Sequence, residues 1–315
     1  MSLYAWFKSA GPSGFGYAST AEEVTDGVDL SGKTVLITGI NSGLGAETAR
    51  VLHMRGARIL GAARTLAKAR DALASLGKDA VPLACELSEP ASVRACVETA
   101  SAHGPIDVLL CNAGIMALPE RTLAHGQELQ FLTNHVGHFM LVTGLLDQLT
   151  DDGRVVMLSS AAHNWAPPAG IQLDDLTFER GYTPNKAYGQ SKLANLLFAR
   201  SLAKRFEGTG KTANALHPGV IDTNLGRHLP GVARALMPVL SALAFKSIPQ
   251  GAATQCYVAA HPTAAEINGE YFSDCNVARS SRHGRDLELA EKLWHRTEEI
   301  VRGFDEAPAE NEARP

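Results

Sequence analysis

Tyr188 and Lys192 stand four residues apart in Tyr188-Gly189-Gln190-Ser191-Lys192, so on a helix they share one face. A phenol titrates near ~10, and an adjacent ammonium stabilises the phenolate. That suits the hydroxyl to give or take a proton closer to neutrality. A Tyr-x-x-x-Lys spacing also arises on any amphipathic helix, and its meaning here comes from order. It follows a glycine turn, Gly39-Ile40-Asn41-Ser42-Gly43-Leu44-Gly45, then Asn112-Ala113-Gly114, then Ser159-Ser160, each closing an apolar run. Glycines in such a turn permit positive φ and bring backbone N–H groups close to a pyrophosphate, whose charge the positive end of the next helix favours. The spacing is G-x-x-x-G-x-G, which differs from the G-x-G-x-x-G dinucleotide fingerprint. Glycine-rich strand-to-helix turns also serve packing alone.

A second apolar run ends in Gly61-Ala62-Ala63-Arg64. An acidic side chain there would bind a ribose 2′-hydroxyl, but the position holds none. Arg64 can pair with a 2′-phosphate through its planar fork of donors, so NADP(H) is expected in preference to NAD(H). The alternative for Arg64 is a solvated arginine at a helix start.

The elements that must position these residues alternate regularly. Short apolar runs at 34–38, 58–62, 81–85, 107–111, 155–159 and 212–216 read as strands. Helical patterns read at 45–55, 66–76, after Ser88, at 128–149 and at 186–206. This order predicts a single α/β domain of the doubly wound Rossmann type, with about seven mostly parallel strands and helices on both faces. Residues 1–29 are expected to be an extension outside the main fold, 30–304 the catalytic dinucleotide-binding domain, and 305–315 a mobile tail rich in Ala, Pro and Glu.

Composition narrows the partners. The 315 residues carry 29 basic and 33 acidic side chains and 45% apolar residues. There is no basic stripe for nucleic acid, and too much apolar content for a disordered chain. Five cysteines without a C-x-x-C pair read as reduced thiols, and the expected location is cytoplasmic. The 11 histidines include neither H-x-x-x-H nor H-E-x-x-H; His135 and His138 read as packed or hydrogen-bonded, and no metal is expected. No run is long and apolar enough to span a bilayer.

Through TGINSGLG, CNAG, Asn134-His135-Val136-Gly137-His138-Phe139, the paired serines and YGQSK, the sequence resembles the short-chain dehydrogenase/reductase family over about residues 30–302. STAEEVTDGVDL, NHVGHF, QSKLANLLFA, HPGVIDTNL, PQGAATQCYVA and GEYFSDCNV are similar to its retinol-dehydrogenase-like branch, especially the chloroplast-envelope translocon-associated dehydrogenases of plants.

The resemblance implies that Tyr188 is the proton donor or acceptor, and that Lys192 lowers its pKa and binds the nicotinamide ribose. It implies that Ser160, rather than Ser159, holds the substrate oxygen, and that Asn134 anchors a water in a proton relay. Gly39, Asn41, Ser42, Gly43, Leu44, Gly45, Asn112, Ala113 and Gly114 would line the dinucleotide, and Pro218, Gly219, Val220 and Thr223 would close over its carboxamide. Glu86-Leu87 stands where the family usually has aspartate before leucine near the adenine.

The expected activity is NADP(H)-dependent interconversion of a hydrophobic alcohol with its aldehyde or ketone. Two other readings compete: a nucleotide-sensing interaction protein, and a reductase of a C=C or C=N bond. The apolar segment near 224–248 is expected to be a lid, with a core helix or a peripheral membrane contact as alternatives. Homodimers or homotetramers are common among similar enzymes.

Overall fold

The computed structural model describes residues 9–221 and 245–306. Its strands are β1 (Thr34–Thr38), β2 (Arg58–Ala63), β3 (Val81–Ala84), β4 (Ile106–Cys111), β5 (Leu123–Ala124), β6 (Gln127–Glu128), β7 (Leu149–Leu158), β8 (Thr212–His217), β9 (Tyr271–Ser273) and β10 (Asn276–Val277). The helices are α1 (Ala21–Val24), α2 (Gly43–Met54), α3 (Leu66–Leu73), α4 (Pro90–Ser101), α5 (Leu129–Phe131), α6 (Gly137–Gly144), α7 (Pro184–Arg205), α8 (Ile248–Ala260) and α9 (Leu287–Glu306).

One sheet runs in the order β10-β9-β8-β7-β4-β1-β2-β3. All its pairings are parallel except β9 with β10. The five residues of β1 are all buried, as expected of a strand covered on both faces. One apolar cluster, with Leu36, Leu109 and Phe198, lies on one side of the sheet, and another, with Ile37, Leu110 and Cys256, on the other. The chain winds outward from β1 through β2 to β3, then reverses through β4 towards β10. A ligand crevice therefore opens at the carboxyl ends of β1 and β4.

The doubly wound α/β class stands as expected, and the strand number needs one correction. Seven strands run parallel, and β10 adds an eighth, antiparallel strand of two residues. Asp274 and Cys275, both at positive φ (52° and 63°), turn the chain between β9 and β10. Two such residues make the turn favoured in tight hairpins, but strands of two and three residues leave no periodic signal.

The helix expected over 128–149 is also corrected. It opens with α5, widens into a π-helical turn at Leu132–Val136, continues as α6 to Gly144, and gives way to β7 at Leu149. Leu149 pairs with Ile106, and a register shift follows before Arg154 meets Val108.

The expectation that the N-terminal segment lies outside the fold is corrected for its described part. Thr20 and Glu23 form a reciprocal capping box on α1, whose Ala21 and Val24 are buried. Asn276 accepts from the Ser13 N–H at 3.0 Å and donates to the Phe15 carbonyl at 3.0 Å. The Phe15 ring meets Tyr257 and His261 edge-on. Apolar residues at 15, 17, 21 and 24 supply the packing, a spacing too irregular to read as an element.

At the other end, α9 lies along α7. Its Trp294 packs 4.9 Å from Phe139 and 5.6 Å from Phe198, under the guanidinium of Arg205. Burying each such large side chain contributes about 1.5–3 kcal/mol. Asp305 and Glu306 close α9, while the rest of the expected tail, 307–315, lies outside the described residues, as does most of the expected lid. Among the described residues, no helix is long and apolar enough to cross a membrane.

Candidate active site

Where β1 ends, the chain turns sharply into α2, with Gly39 at φ +72° and Gly43 at +56°. A Cβ on Gly39 would come within 3.0 Å of Ala113 Cα, and one on Gly45 within 2.3 Å of the Gly39 carbonyl oxygen. Packing of the turn against β4 thus accounts for these two glycines. It does not account for the start of α2. Ser42 occupies the N-cap yet its side chain caps nothing, and Asn41 and Ser42 are exposed. The first-turn N–H groups and the positive end of α2 therefore face the open side of the turn, an arrangement that fits a pyrophosphate. Leu44 anchors this start by accepting from Gln255 Nε2 at 3.3 Å.

Thr38 ties the turn to the end of β4. Its Oγ1 accepts the N–H groups of Asn112 and Ala113, each at 3.0 Å, and Asn112 Nδ2 donates to the Thr38 carbonyl at 2.8 Å. With both acceptances made, the Thr38 hydroxyl proton points to His138 Nε2, 2.9 Å away. The His138 proton then sits on Nδ1, which donates to the Asn134 carbonyl at 2.9 Å. Burial pushes the pKa of His138 down to about 4 and that of His135 to about 3, so both rings are neutral. His135 Nε2 meets Thr297 Oγ1 at 3.0 Å. Among the described residues, no three His, Cys, Asp or Glu side chains gather as a metal site.

At the end of β2, Arg64 is exposed and makes no hydrogen bond or ion pair among the described residues. Beyond β3, Glu86 Oε1 accepts the Ser88 hydroxyl at 3.0 Å, and Leu87 is buried with its carbonyl against Gly137. After β8, Gly219 (φ +98°) donates its N–H to His217 Nδ1 at 3.2 Å, and the Val220 carbonyl accepts the Lys246 N–H at 2.8 Å. Pro218, Gly219 and Val220 therefore lie on the same sheet edge as the glycine turn. Thr223 falls outside the described residues.

The four expected catalytic residues meet between β7 and α7. Thr183 caps α7 by accepting the Lys186 N–H, with Pro184 in its first turn. A Cβ on Gly189 would lie 2.6 Å from Ala166 N and 2.8 Å from the Ala162 carbonyl. That glycine lets the turn Ala161–Trp165, which Ser160 caps, approach Tyr188. The two serines divide their work. Ser159 Oγ is buried and donates to the Lys192 carbonyl at 2.7 Å, whereas Ser160 Oγ accepts the Ala162 N–H at 3.1 Å and acts on the Tyr188 hydroxyl.

Asn134 sits in the π-helical turn and is fully buried. Its Oδ1 accepts the Ile115 N–H at 2.8 Å, and its Nδ2 donates to the Ile115 carbonyl and to Ser191 Oγ, each at 2.9 Å. A Cβ on Gly114 would lie 3.0 Å from Asn134 Oδ1 and 3.3 Å from Lys192 Nζ, which places those two side chains together beneath it. π-helical turns recur at functional sites because the extra residue re-aims carbonyls and side chains.

Burial dominates the electrostatics of the pair. Lys192 Nζ lies 5.8 Å from the centre of the Tyr188 ring and donates to the Leu158 carbonyl at 3.0 Å. Burial pushes Tyr188 up to about 12, with the Ser160 hydroxyl acting the other way, and pushes Lys192 down to about 8.

Sequence reasoning gave no role to Gly189, Thr38, Ser191 or His163. A glycine inside a helix costs about 1 kcal/mol relative to alanine, so Gly189 carried a signal of close approach. The others are polar residues at buried positions, and nothing local says what they bond.

The short chain dehydrogenase family model matches residues 33–171. The chain is 43% identical over 302 residues to the short-chain dehydrogenase TIC 32 A, chloroplastic, of Brassica napus, covering 90% of this chain and 93% of that one. It is 39% identical over 292 residues to retinol dehydrogenase 14 of Mus musculus, covering 86% of each. It superposes with a TM-score of 0.62 and 28% identity on a blue fluorescent protein from a metagenomic library in complex with NADPH, covering 77% of this chain and 96% of that one.

Proposed function

The chain belongs to the short chain dehydrogenase family, and from that premise we propose that it is an NADP(H)-dependent oxidoreductase interconverting a hydrophobic alcohol with its aldehyde or ketone. The observation that carries this reading is the convergence of Ser160, Tyr188, Lys192 and Asn134 at the sheet edge that also bears the uncapped start of α2.

A bound nicotinamide dinucleotide supplies or accepts the hydride. Everything else falls to the chain. In the reductive direction the Tyr188 hydroxyl gives its proton to the substrate oxygen, and in the oxidative direction it takes one back. Ser160 holds the same oxygen. Its Oγ already accepts the Ala162 N–H, so its hydroxyl proton is directed outward as a donor. Lys192, fixed by the Leu158 carbonyl, holds positive charge beneath the phenol, and Asn134 braces Ile115 beside it.

Substrate and cofactor preference rest on surface features. Met116, Trp165 and Val220, each about half exposed, sit on the loops that follow the neighbouring strands β4, β7 and β8. They offer exposed apolar surface at the carboxyl end of the sheet, suited to a lipophilic molecule, in keeping with the relative named a retinol dehydrogenase. The unengaged Arg64 fits a 2′-phosphate, and a structural relative was solved with NADPH. Five free, buried cysteines suit a reducing compartment such as the cytoplasm, with a plastid as the alternative that the chloroplastic relative raises.

Purified protein offered NADPH or NADH with a panel of lipophilic aldehydes and ketones tests the whole reading. Turnover with NADPH favoured is the expected result. A clear preference for NADH removes the role of Arg64. Absence of dinucleotide binding by calorimetry overturns the proposal.

A further inference from the structure

His163 lies in the short turn that Ser160 caps and is only 3% exposed. The Ser281 backbone N–H donates to its Nε2 at 3.0 Å, so that nitrogen is an acceptor. A neutral imidazole carries one N–H, which must then sit on Nδ1. Nδ1 lies 2.6 Å from the Ser160 carbonyl oxygen and donates to it. The same carbonyl also accepts the His163 backbone N–H at 3.1 Å, so one residue grips it twice. Burial holds the pKa of the ring below the ordinary histidine value, which keeps it neutral. On the far side Tyr271 contacts the ring edge-on at 5.1 Å, and Ser281 Oγ accepts the Gly284 N–H at 3.1 Å.

We propose that His163 is a positioning residue for the reaction: its Nδ1–H fixes the Ser160 carbonyl and hence the backbone from which the Ser160 hydroxyl is aimed, while its Nε2 fastens this turn to the segment leading into α9. The inference rests on the role given to Ser160 above. Ser160 is held extended (φ −162°, ψ 159°) at the junction of β7 and the turn. Its Oγ direction depends on that backbone staying in place, because the side chain is otherwise held by the Ala162 N–H and by the Tyr188 hydroxyl it must share with the substrate. A hydroxyl that must meet a substrate oxygen within hydrogen-bonding reach tolerates little wander.

Three substitutions separate positioning from packing. In His163→Asn the side-chain amide falls near the place of Nδ1 and can still donate to the Ser160 carbonyl, but nothing reaches Ser281. In His163→Gln the amide extends towards the place of Nε2 and can accept from Ser281, while the donor to Ser160 is lost. His163→Phe keeps a ring against Tyr271 and loses both bonds. Positioning predicts that the asparagine variant keeps kcat within about threefold, whereas the glutamine and phenylalanine variants lose about tenfold, the worth of one well-made hydrogen bond. The KM for NADPH should move by no more than about twofold in all three.

A purely structural role predicts the reverse order, with asparagine worst and kcat, KM and Tm drifting together, and that result overturns the inference. Should the phenylalanine variant fail to fold, the contrast between asparagine and glutamine decides alone. Tyr188→Phe, run in parallel, keeps the two proposals apart. If it retains turnover, the catalytic reading fails. If it is dead while all three His163 variants match the wild type, only the positioning inference fails.

Discussion

The two sides of the crevice are built from different material. On the side of β1 and α2, the groups turned to the open crevice are backbone N–H donors, left free by an N-cap that bonds nothing and by glycines at positive φ. On the side of β7 and α7, they are side chains, buried or half-buried: Lys192 is braced by the Leu158 carbonyl, Ser160 by the Ala162 N–H and Tyr188 by the Ser160 hydroxyl. A backbone cradle is damaged by adding atoms to it. A side-chain cluster is damaged by taking atoms away, and its chemistry depends on solvent exclusion as much as on residue type.

The largest effect should come from the side-chain half. Tyr188→Phe removes one oxygen and should lower kcat by about 10³-fold or more, within the range for losing a general acid, with dinucleotide affinity by calorimetry nearly unchanged. Equal loss of both would place Tyr188 in cofactor binding instead. Next comes Arg64→Glu, which replaces a donor fork with a charge that repels a 2′-phosphate. The NADPH-to-NADH ratio of kcat/KM should fall by about 10²-fold, and an unchanged ratio would remove Arg64 from the site.

Gly45→Ala tests the backbone half directly, because its Cβ would stand 2.3 Å from the Gly39 carbonyl oxygen. Dinucleotide affinity should fall by about tenfold or more, since backbone on both sides must shift. Unaltered affinity in a folded variant would mean the turn does not hold the ligand.

The serine pair sharpens the contrast within a single dipeptide. Ser160→Ala should cost about 10–100-fold in kcat with little change in Tm, whereas Ser159→Ala should cost about 1 kcal/mol of stability, because its hydroxyl donates to the Lys192 carbonyl. Denaturant titration beside kinetics reads both outcomes.

The smallest effect is the pH profile. Lys192 is pushed down from 10.5 to about 8, so the charged form is lost as pH rises past that value, and reductive kcat should decline there. Stability should move the opposite way. Between the folded and unfolded pKa values the unfolded chain binds more protons, so this residue's contribution rises with pH. A decline in activity that tracks unfolding would break the assignment.

Much of this was readable from sequence because it is local. A buried strand followed by glycines, an arginine where an acid would otherwise stand, and a tyrosine four residues before a lysine all depend on nearest neighbours and helical period. They specified the doubly wound sheet, and they singled out the glycine turn and the Tyr188–Lys192 pair that the structure brings to one end of it. Residues 21–24, β9, β10 and the end of the helical region at Gly144 were not legible, since short or interrupted elements carry too few periods to stand out. Nor was the fate of each polar side chain. Ser159 and Ser160 are identical neighbours, and only the pleat running out of β7 and the approach of α7 turn one hydroxyl to the Lys192 carbonyl and the other to the Ala162 N–H and Tyr188. The pKa values of Tyr188 and Lys192 were likewise a tertiary outcome. Sequence showed a charge beside a phenol, but how deeply both were buried depended on what packed over them, and burial is what shifts each of them.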